Sequence, residues 1–335
     1  MLAALVHAWF APGATLAEPT GTTIDVRAAP ITLDAQDPRR RQFGKLEYLC
    51  GVRLTSNAAD FGGYSGLVLD ADGRRLLAVS DAGTWLMASL IYKGDCVKSL
   101  AEVRIAPVLG RDGRPIPAKR NKDAEALALG QHGRLEGSVY VAFEHRHRIW
   151  RYRLKNGAPA GKPDPLPLTF RGLRANSGIE GLAVLRGGEH KGALLALAES
   201  GPDTEADDGR SPGWLIVGSK QQPLSISLSG GFKITGLEAT ADGGVIVLER
   251  RYKGLLDGVH LRVRRIPAKE IKPGAVLKGE TLMEIGGYRY AIDNMEAIAL
   301  HETADGRKVL TLLSDDNFSP LQSTVLLQFI LPASD

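Results

Sequence analysis

The sequence lacks the signatures of several large protein classes. Its 335 residues include only two cysteines and four methionines, and no apolar run reaches the roughly 18 residues that a membrane-spanning helix needs. The two cysteines, Cys50 and Cys96, have no neighbouring histidines at zinc-site spacing. They form either a disulfide or a pair of buried thiols, since the sequence alone does not determine the distance between them.

Basic residues form no extended stripe. The formal net charge is only +4, and no Lys/Arg stripe with interleaved aromatic residues occurs, which argues against nucleic-acid binding. Ser65 and Ser80 do not lie in a G-x-S-x-G nucleophile elbow, so a serine hydrolase has no local support at these two serines. The composition that is present, with 44% hydrophobic residues and 39 glycines, is typical of a folded, turn-rich β protein.

Residues 1–21 are predicted to be an export signal or a disordered N-terminus. A short apolar stretch is followed by Thr15-Leu16-Ala17, which fits a signal cleavage site, although the usual basic region before it is missing. We therefore expect a periplasmic or secreted protein with one domain over residues 22–335.

One short pattern returns five times along the chain. Each copy has a polar turn, a Gly/Ala-Leu/Ile pair, a Gly-containing turn and an apolar run that stops at an acidic residue. The residues before the five pairs are Ser65, Glu125, Glu180, Thr235 and Glu296, so the copies are 60, 55, 55 and 61 residues apart. Periods of this length are typical of four-stranded propeller blades, whereas shorter repeats form solenoids.

The turn chemistry supports an all-β fold. Three of the five internal turns carry Asp-Gly, and glycine supplies the positive φ that a tight hairpin requires. Two further extended runs follow each hairpin, except that the last repeat ends one strand short. Residues 46–54 can fill that place and close the ring. The prediction is a β-propeller of five four-stranded blades, with six blades as the alternative.

The repeats should gather acidic side chains at one end of the propeller. In each hairpin the first strand starts, and the second strand stops, at the same end, and the first strand lines the central channel. The acids expected at this channel mouth are Asp81, Glu125, Glu144, Glu180, Glu199, Glu249, Glu296 and Asp315. Carboxylates this close together repel unless cations, basic partners or protonation compensate them.

A divalent cation, most simply Ca²⁺, is the expected occupant, because Ca²⁺ accepts roughly six to eight oxygen ligands from such groups. The candidate metal ligands are Asp81, Glu125, Glu144, Glu180, Glu296 and Asp315. Basic residues in the same loops, including Arg146, Arg250, Arg251 and Lys253, would face an anionic ester beside the metal. Alternatively, the repeated acids accept backbone N–H bonds and hold the blades in register.

Several segments resemble the bacterial "esterase-like activity of phytase" family. The most specific are Phe61-Gly62-Gly63-Tyr64-Ser65-Gly66-Leu67, Leu248-Glu249-Arg250-Arg251-Tyr252 and Ser314-Asp315-Asp316-Asn317-Phe318. The similarity extends over residues 46–331. This resemblance implies an exported bacterial β-propeller, often periplasmic, with an ester- or phosphoester-hydrolysing activity. Propeller phytases usually have six blades and depend on Ca²⁺.

The sequence thus predicts metal-assisted hydrolysis of an anionic ester or phosphoester at the channel mouth. The candidate catalytic residues are Glu249, Arg250, Arg251 and Arg146. Two alternatives stand beside this hypothesis: a lactonase-like propeller hydrolase, and a propeller that binds a ligand without catalysis. We expect a monomer whose partner is a small anionic or ester substrate, with no nucleic acid and no transmembrane segment.

Overall fold

The structure, a computed structural model, describes residues 21–130, 133–200 and 209–332. The predicted export signal lies outside these residues, apart from residue 21. Four strands precede the first repeat: β1 (Thr22–Thr23), β2 (Arg27–Pro30), β3 (Gln42–Phe43) and β4 (Leu46–Thr55). Within the described ranges, no helix combines the length and the apolar character that crossing a bilayer requires.

The other strands form five blades, one for each sequence repeat. Blade one contains β5 (Tyr64–Leu69), β6 (Arg75–Ser80), β7 (Thr84–Lys93) and β8 (Cys96–Pro107). Blade two contains β9 (Ala124–Leu129), β10 (Gly137–Phe143), β11 (Arg148–Lys155) and β12 (Ala158–Pro165). Blade three contains β13 (Ile179–Val184), β14 (Leu194–Ala198), β15 (Gly209–Val217) and β16 (Lys220–Leu228).

Blade four contains β17 (Lys233–Ala239), β18 (Val245–Tyr252), β19 (Val259–Ile266) and β21 (Glu280–Gly286), while β20 (Val276–Leu277) pairs with β16 of blade three. Blade five contains β22 (Asn294–Glu302), β23 (Lys308–Asp315) and β24 (Thr324–Leu331). The described helices are short: α1 (Lys119–Lys122), between blades one and two, and a 3₁₀ helix (Ala268–Glu270).

The five blades form a closed ring, which confirms the five-bladed prediction over the six-bladed alternative. The inner strands β5, β9, β13, β17 and β22 contact one another in that order, and β22 also contacts β5. Strand β4 pairs antiparallel with β24, with Leu54 opposite Thr324, and becomes the fourth strand of blade five. An N-terminal strand therefore closes the ring, as predicted.

A disulfide crosses the seam where the ring closes. Cys50 on β4 of blade five is bonded to Cys96 on β8 of blade one, and their Cα atoms are 5.7 Å apart. Strand β1 pairs with β8, and β2 pairs with β4, so the N-terminal segment spans the same seam. The sequence leaves this pairing open because the two strands meet only when the ring is complete.

The inner strands are buried on both faces because each lies between two neighbouring blades. Every residue of β5, β9 and β13 is buried. At the seam, for example, Leu67 and Leu69 of β5 share one apolar core with Ala297 and Ala299 of β22. Strands that are buried on both faces show continuous apolar runs rather than alternation. This packing holds the starts of all five inner strands around one axis.

Candidate functional site

Each inner strand carries a β-bulge at the residue that the repeats align. In β5, Tyr64 pairs with Ser80 and Gly66 pairs with Val79, which leaves Ser65 without a partner. The same shift in register leaves out Glu125, Glu180, Thr235 and Glu296 in the other inner strands. A bulge bends the strand and re-aims the side chain of the extra residue. The bulges therefore place these five residues at one end of the channel, which is the mouth.

The residues opposite the strand starts complete the mouth. The backbone N–H groups of Asp81, Glu144 and Glu199 each donate to a carbonyl two residues before a bulge, at 2.9 Å in all three blades. Asp315 occupies the same register opposite Asn294. In blade four this position belongs to Arg250. The mouth thus has four acidic positions and one basic position at this level, rather than the five acids that the sequence predicts.

Glu249 does not lie with the other acids. It precedes Arg250 by one residue and therefore points to the opposite face of β18. Its side chain is fully buried, and Arg264 donates from Nε to its Oε2 at 2.8 Å and from Nη2 to its Oε1 at 2.5 Å. The predicted position of Glu249 at the mouth is wrong by one residue, because register decides the face of a strand.

The predicted basic residues are divided between two faces. Arg251 shares the face of Glu249, and its guanidinium lies 5.1 Å from the ring centroid of Phe232. Arg146 is exposed in the turn after Glu144. Arg250 points to the mouth, where its Nη2 lies 3.5 Å from Glu296 Oε1. Of the predicted catalytic residues, Arg250 is thus placed against the acids, whereas Glu249 and Arg251 are not.

Three of the predicted metal ligands converge. Glu125, Glu144 and Glu180, here called the acid triad, each offer one carboxylate oxygen, and these oxygens lie within 4.8 Å of one another. Glu125 and Glu180 are only 8% and 9% exposed. Across the described ranges, neither of these two carboxylates has a hydrogen-bond donor or a salt-bridge partner. Buried charges are normally paired or bound to a metal, so this arrangement calls for a cation or for protons.

The pKa values of the mouth acids also show that ionisation is unfavourable in this buried, acidic environment. Burial, reinforced by the neighbouring carboxylates, raises the pKa of Glu125 and Glu180 well above the ordinary range. Burial, with Asp123 as the next cause, raises the pKa of Glu144 to about 7. The pKa of Asp315 rises to about 8, mainly through burial and then through Glu296. A divalent cation bound to the acid triad would displace the protons of Glu125, Glu144 and Glu180.

Asp81 and Asp123 already have basic partners. Lys119 on α1 contacts Asp81 and lies 3.5 Å from Asp123 Oδ1. His145 Nε2 lies 3.0 Å from Asp123 Oδ2. Lys119 is not among the predicted site residues, although the basic residues 119–122 directly precede Asp123 and could have indicated a basic partner for it. Lys119 and His145 therefore face Asp81 and Asp123, whereas Glu125 and Glu180 have no basic partner among the described residues.

Glu144, Glu199 and Glu296 accept hydrogen bonds within the protein. Glu144 accepts an N–H bond from Gly178 of the next repeat at 3.2 Å. Glu199 accepts from Ser177 Oγ at 3.0 Å and from Lys233 Nζ at 3.2 Å. Glu296 accepts from Asn294 Nδ2 at 2.8 Å. Only Glu144 fits the structural alternative of an acid that accepts a backbone N–H, because the partners of Glu199 and Glu296 are side chains. Neither kind of partner serves Glu125 or Glu180 among the described residues.

Comparison with known proteins identifies the family. A family model described as "Phytase-like: Esterase-like activity of phytase" matches residues 59–318. The chain belongs to this family. None of the curated proteins that were compared matches the chain.

Several solved structures are similar to this phytase-like chain. An endo-arabinase from Bacteroides thetaiotaomicron VPI-5482 has 11% identity and a TM-score of 0.48, covering 83% of this chain and 96% of that chain. A glucose dehydrogenase has 11% identity and a TM-score of 0.44, covering 82% and 97%. The WD40 repeats of RRP9 have 12% identity and a TM-score of 0.37, covering 90% and 86%. At these scores the likenesses say nothing about activity.

Two of the three most specific motifs of the phytase-like chain, residues 61–67 and 314–318, contact each other at the mouth. Asp316 Oδ1 accepts the N–H of Gly63 at 3.0 Å, and Asp316 Oδ2 accepts from Thr324 Oγ1 at 2.9 Å. Gly63 has φ +66°, and a Cβ there would lie 2.5 Å from both Phe318 Cε2 and Asp81 Oδ1. Glycine is therefore required at this position, because φ is positive and no room remains for a Cβ atom. The motifs lock blade five to blade one beside the acids.

Three buried polar atoms at the mouth lack a hydrogen-bond partner among the described residues. They are Ser65 Oγ, Arg250 Nε and Asn294 Oδ1. Buried polar atoms in native proteins are nearly always satisfied, so each exception needs a ligand, an ion or a water molecule to explain it. Ser65, Glu180 and Glu296 line the same small cavity at the channel.

The raised pKa values predict that the metal-free protein loses stability as pH increases. The folded state keeps protons on Glu144 and Asp315 that the unfolded chain releases, so the free energy of unfolding falls between about pH 6.5 and about pH 8, above the range in which the lowered pKa of His301 acts in the opposite direction. Asp315 alone, which keeps its proton in the folded state up to about pH 8, contributes about 2 kcal/mol over this range. Urea unfolding in chelator across this range measures the effect. A flat or rising profile would contradict it.

Proposed function

We propose that this phytase-like propeller is a metal-dependent hydrolase of an anionic ester or phosphoester. The observation that carries the proposal is the acid triad, in which Glu125 and Glu180 are more than nine-tenths buried and have no described partner. A site that needs positive charge, and is built only from oxygen donors, suits a hard divalent cation such as Ca²⁺.

The acid triad would hold the metal, with Asp123 and backbone carbonyls close enough in the chain to add further oxygen ligands. When bound, a divalent cation would polarise the ester oxygen and lower the pKa of a water molecule beside it. The triad comes from blades two and three, on two neighbouring inner strands and the end of β10. The rigid inner strands support this choice, because sites on strands are held more accurately than sites on loops.

Arg250 would bind the anionic oxygen of the substrate. Its Nε is buried and without a partner in the described structure, and its Nη2 contacts Glu296, which holds the guanidinium toward the mouth. Charge that develops on the reacting group would be stabilised by this guanidinium, which is already oriented before the reaction. Blade four is the one blade with a base at this register position, so the mouth has a basic wall facing its acids.

Asp315 would supply the proton to the leaving group. Burial raises its pKa to about 8, so the carboxyl carries a proton near neutral pH. Its Oδ1 accepts the N–H of Asn317 at 2.6 Å, which leaves Oδ2 to hold the proton. A positioned acid with a pKa near the working pH is an effective general acid. Asp315 lies on blade five, beside Glu296.

The test is removal and restoration of the metal. We expect EDTA to abolish hydrolysis of p-nitrophenyl phosphate or p-nitrophenyl acetate, and Ca²⁺ to restore it. Turnover that is unchanged in chelator would remove the metal from the proposal. Lactones are included as substrates, since a lactonase-like hydrolase is the second candidate, and a preference for them over phosphomonoesters would redirect the assignment.

The setting of this activity is part of the same proposal. We propose a monomer that acts in the periplasm or outside a bacterial cell. The apolar N-terminal stretch with Thr15-Leu16-Ala17 and the disulfide between Cys50 and Cys96 support export, because disulfides persist in oxidising compartments.

A further inference from the structure

Exposed apolar side chains are concentrated on one face of this propeller. Among the described residues, eight large apolar side chains are exposed, and Ile91 and Val217 lie toward the end of the blades away from the mouth. The other six lie in or next to loops on the mouth face of blades four and five: Tyr252, Leu255, Leu256, Tyr288, Phe318 and Leu321. Leu256 is 101% exposed and Leu321 is 93% exposed. Contiguous exposed apolar surface usually marks a binding site.

The three loops that carry these residues contact one another. The hydroxyl of Tyr288 donates to the carbonyl of Leu255, which joins loops 252–258 and 287–293. Asp293 accepts the N–H of Ser323 at 2.8 Å and the side-chain amide of Gln322 at 3.2 Å, which joins loops 287–293 and 316–323. We call the surface formed by loops 252–258, 287–293 and 316–323 the apolar rim.

Phe318 connects the apolar rim to the mouth. The residue is 45% exposed, and its ring lies where a side chain on Gly63 would be, next to Asp81. Asn317 and Phe318 have φ +48° and +50°, which is a left-handed conformation that bulky residues rarely adopt. Side-chain acceptors hold both residues in place, because Asp315 accepts from Asn317 N–H and Asp316 accepts from Phe318 N–H at 3.1 Å. Strain of this kind is concentrated at functional sites.

We propose that the apolar rim binds the acyl or aryl group of an ester whose polar group lies at the mouth. This inference rests on the proposed function and names its substrate class, which is a small amphiphilic ester. Phe318, which lies next to Asp81, belongs to the same loop as Leu321, and this supports the occupant because one molecule can span the mouth and the apolar rim. The acids around the mouth oppose an anionic bilayer surface as the occupant, since like charges repel.

Binding of octylphosphonate and methylphosphonate by titration calorimetry tests the apolar rim without any turnover. We expect the octyl compound to bind roughly 30-fold more tightly, because each buried methylene contributes favourably. Leu321→Ser and Leu256→Ser should each reduce that preference about fivefold, and Phe318→Ala should reduce it further. Val217→Ser, at a side chain that is 55% exposed away from the mouth, is the matched control and should leave the preference unchanged.

Hydrolysis of p-nitrophenyl octanoate and p-nitrophenyl acetate separates this inference from the proposed function. Tight, rim-dependent octylphosphonate binding without any ester hydrolysis would retain the apolar rim and remove the hydrolase. Metal-dependent hydrolysis with equal kcat/KM for both esters and equal phosphonate affinities would overturn the apolar rim alone. Two further outcomes would also overturn the assignment of an ester to the apolar rim. If octylphosphonate shows no preference and Leu321 is needed for binding to phosphatidylcholine vesicles, the occupant is a lipid bilayer. If Leu321 is instead needed for dimer formation, the occupant is a second copy of this chain.

Discussion

Glu180→Gln is expected to lower the affinity of the mouth for Ca²⁺ and the rate of ester hydrolysis by at least about 100-fold each. Changes to groups that only support metal ligands typically cost about 10- to 100-fold in affinity, so loss of a ligand carboxylate should cost at least as much. Calcium titration calorimetry and kcat/KM at saturating Ca²⁺ measure the two effects. Glu125→Gln should behave in the same way, because both acids belong to the triad.

The same variants should remain folded. Glutamine has the shape of glutamate, and it removes a buried group whose ionisation is unfavourable in the metal-free protein, where burial raises the pKa of Glu180. We therefore expect an unchanged or higher Tm in chelator at about pH 8. Unchanged Ca²⁺ affinity in both variants would contradict the proposed metal site.

A matched control exists on a neighbouring inner strand. Glu238 on β17 is 8% exposed, but Arg186 donates to its Oε1 at 2.8 Å. It lies three residues beyond the bulge residue Thr235 and is not part of the acid triad. We expect Glu238→Gln to leave Ca²⁺ affinity unchanged, so any loss shared with this variant would indicate a general effect of altering a buried acid.

Glu249→Ala is expected to destabilise the protein by about 3 to 5 kcal/mol, because it leaves the buried guanidinium of Arg264 without its carboxylate. The side chain of Arg264 is only 8% exposed. Urea unfolding measures the loss. Replacing both partners, as in Glu249→Ala with Arg264→Met, should recover part of it, since a buried pair can often be exchanged for apolar groups at little cost.

The expected effect of Glu249→Ala on turnover is small. Glu249 lies on the face of β18 opposite Arg250, and its contacts are with Arg264 and Arg262 rather than with the acid triad. We expect kcat per folded molecule to stay within about twofold of wild type, whereas Arg250→Ala at the mouth should lower it strongly. A folded Glu249→Ala protein without activity would return Glu249 to the catalytic residues.

The difference between Glu249 and Arg250 shows where sequence reasoning fails in a repeat protein. The repeats align an acid at the end of each apolar run, but the hairpins differ in length. From Gly73 to Asp81 there are eight residue steps, whereas from Gly243 to Glu249 there are only six. Arg250, which has the register of Asp81, lies seven steps from Gly243, so a count from the turn glycine does not identify the equivalent position. A shift of one residue exchanges the two faces of a strand. The sequence-based assignment therefore included Glu249, which belongs to a buried ion pair, in the predicted site.

Phe318 and Lys119 show a different limit. The sequence indicates that the segment around Asp315 is unusually rich in oxygen ligands, but nothing in its letters predicts a left-handed backbone at Phe318. That conformation depends on Asp316, which binds Gly63 from the opposite end of the chain. Lys119 reaches Asp81 only because α1 lies across the boundary between blades one and two. Both contacts are long-range, so local pattern does not reveal them.

The sequence by itself determined the propeller, the number of blades, the strand that closes the ring and the acids of the inner strands. These follow from the repeat period and from the residues in the turns, which can be read from the sequence without a structure. Only the tertiary structure decided which acids converge, which are paired and which base faces them. The physical reason is that side-chain direction depends on bulges and register, and ionisation depends on burial and on neighbours that the closed ring brings together.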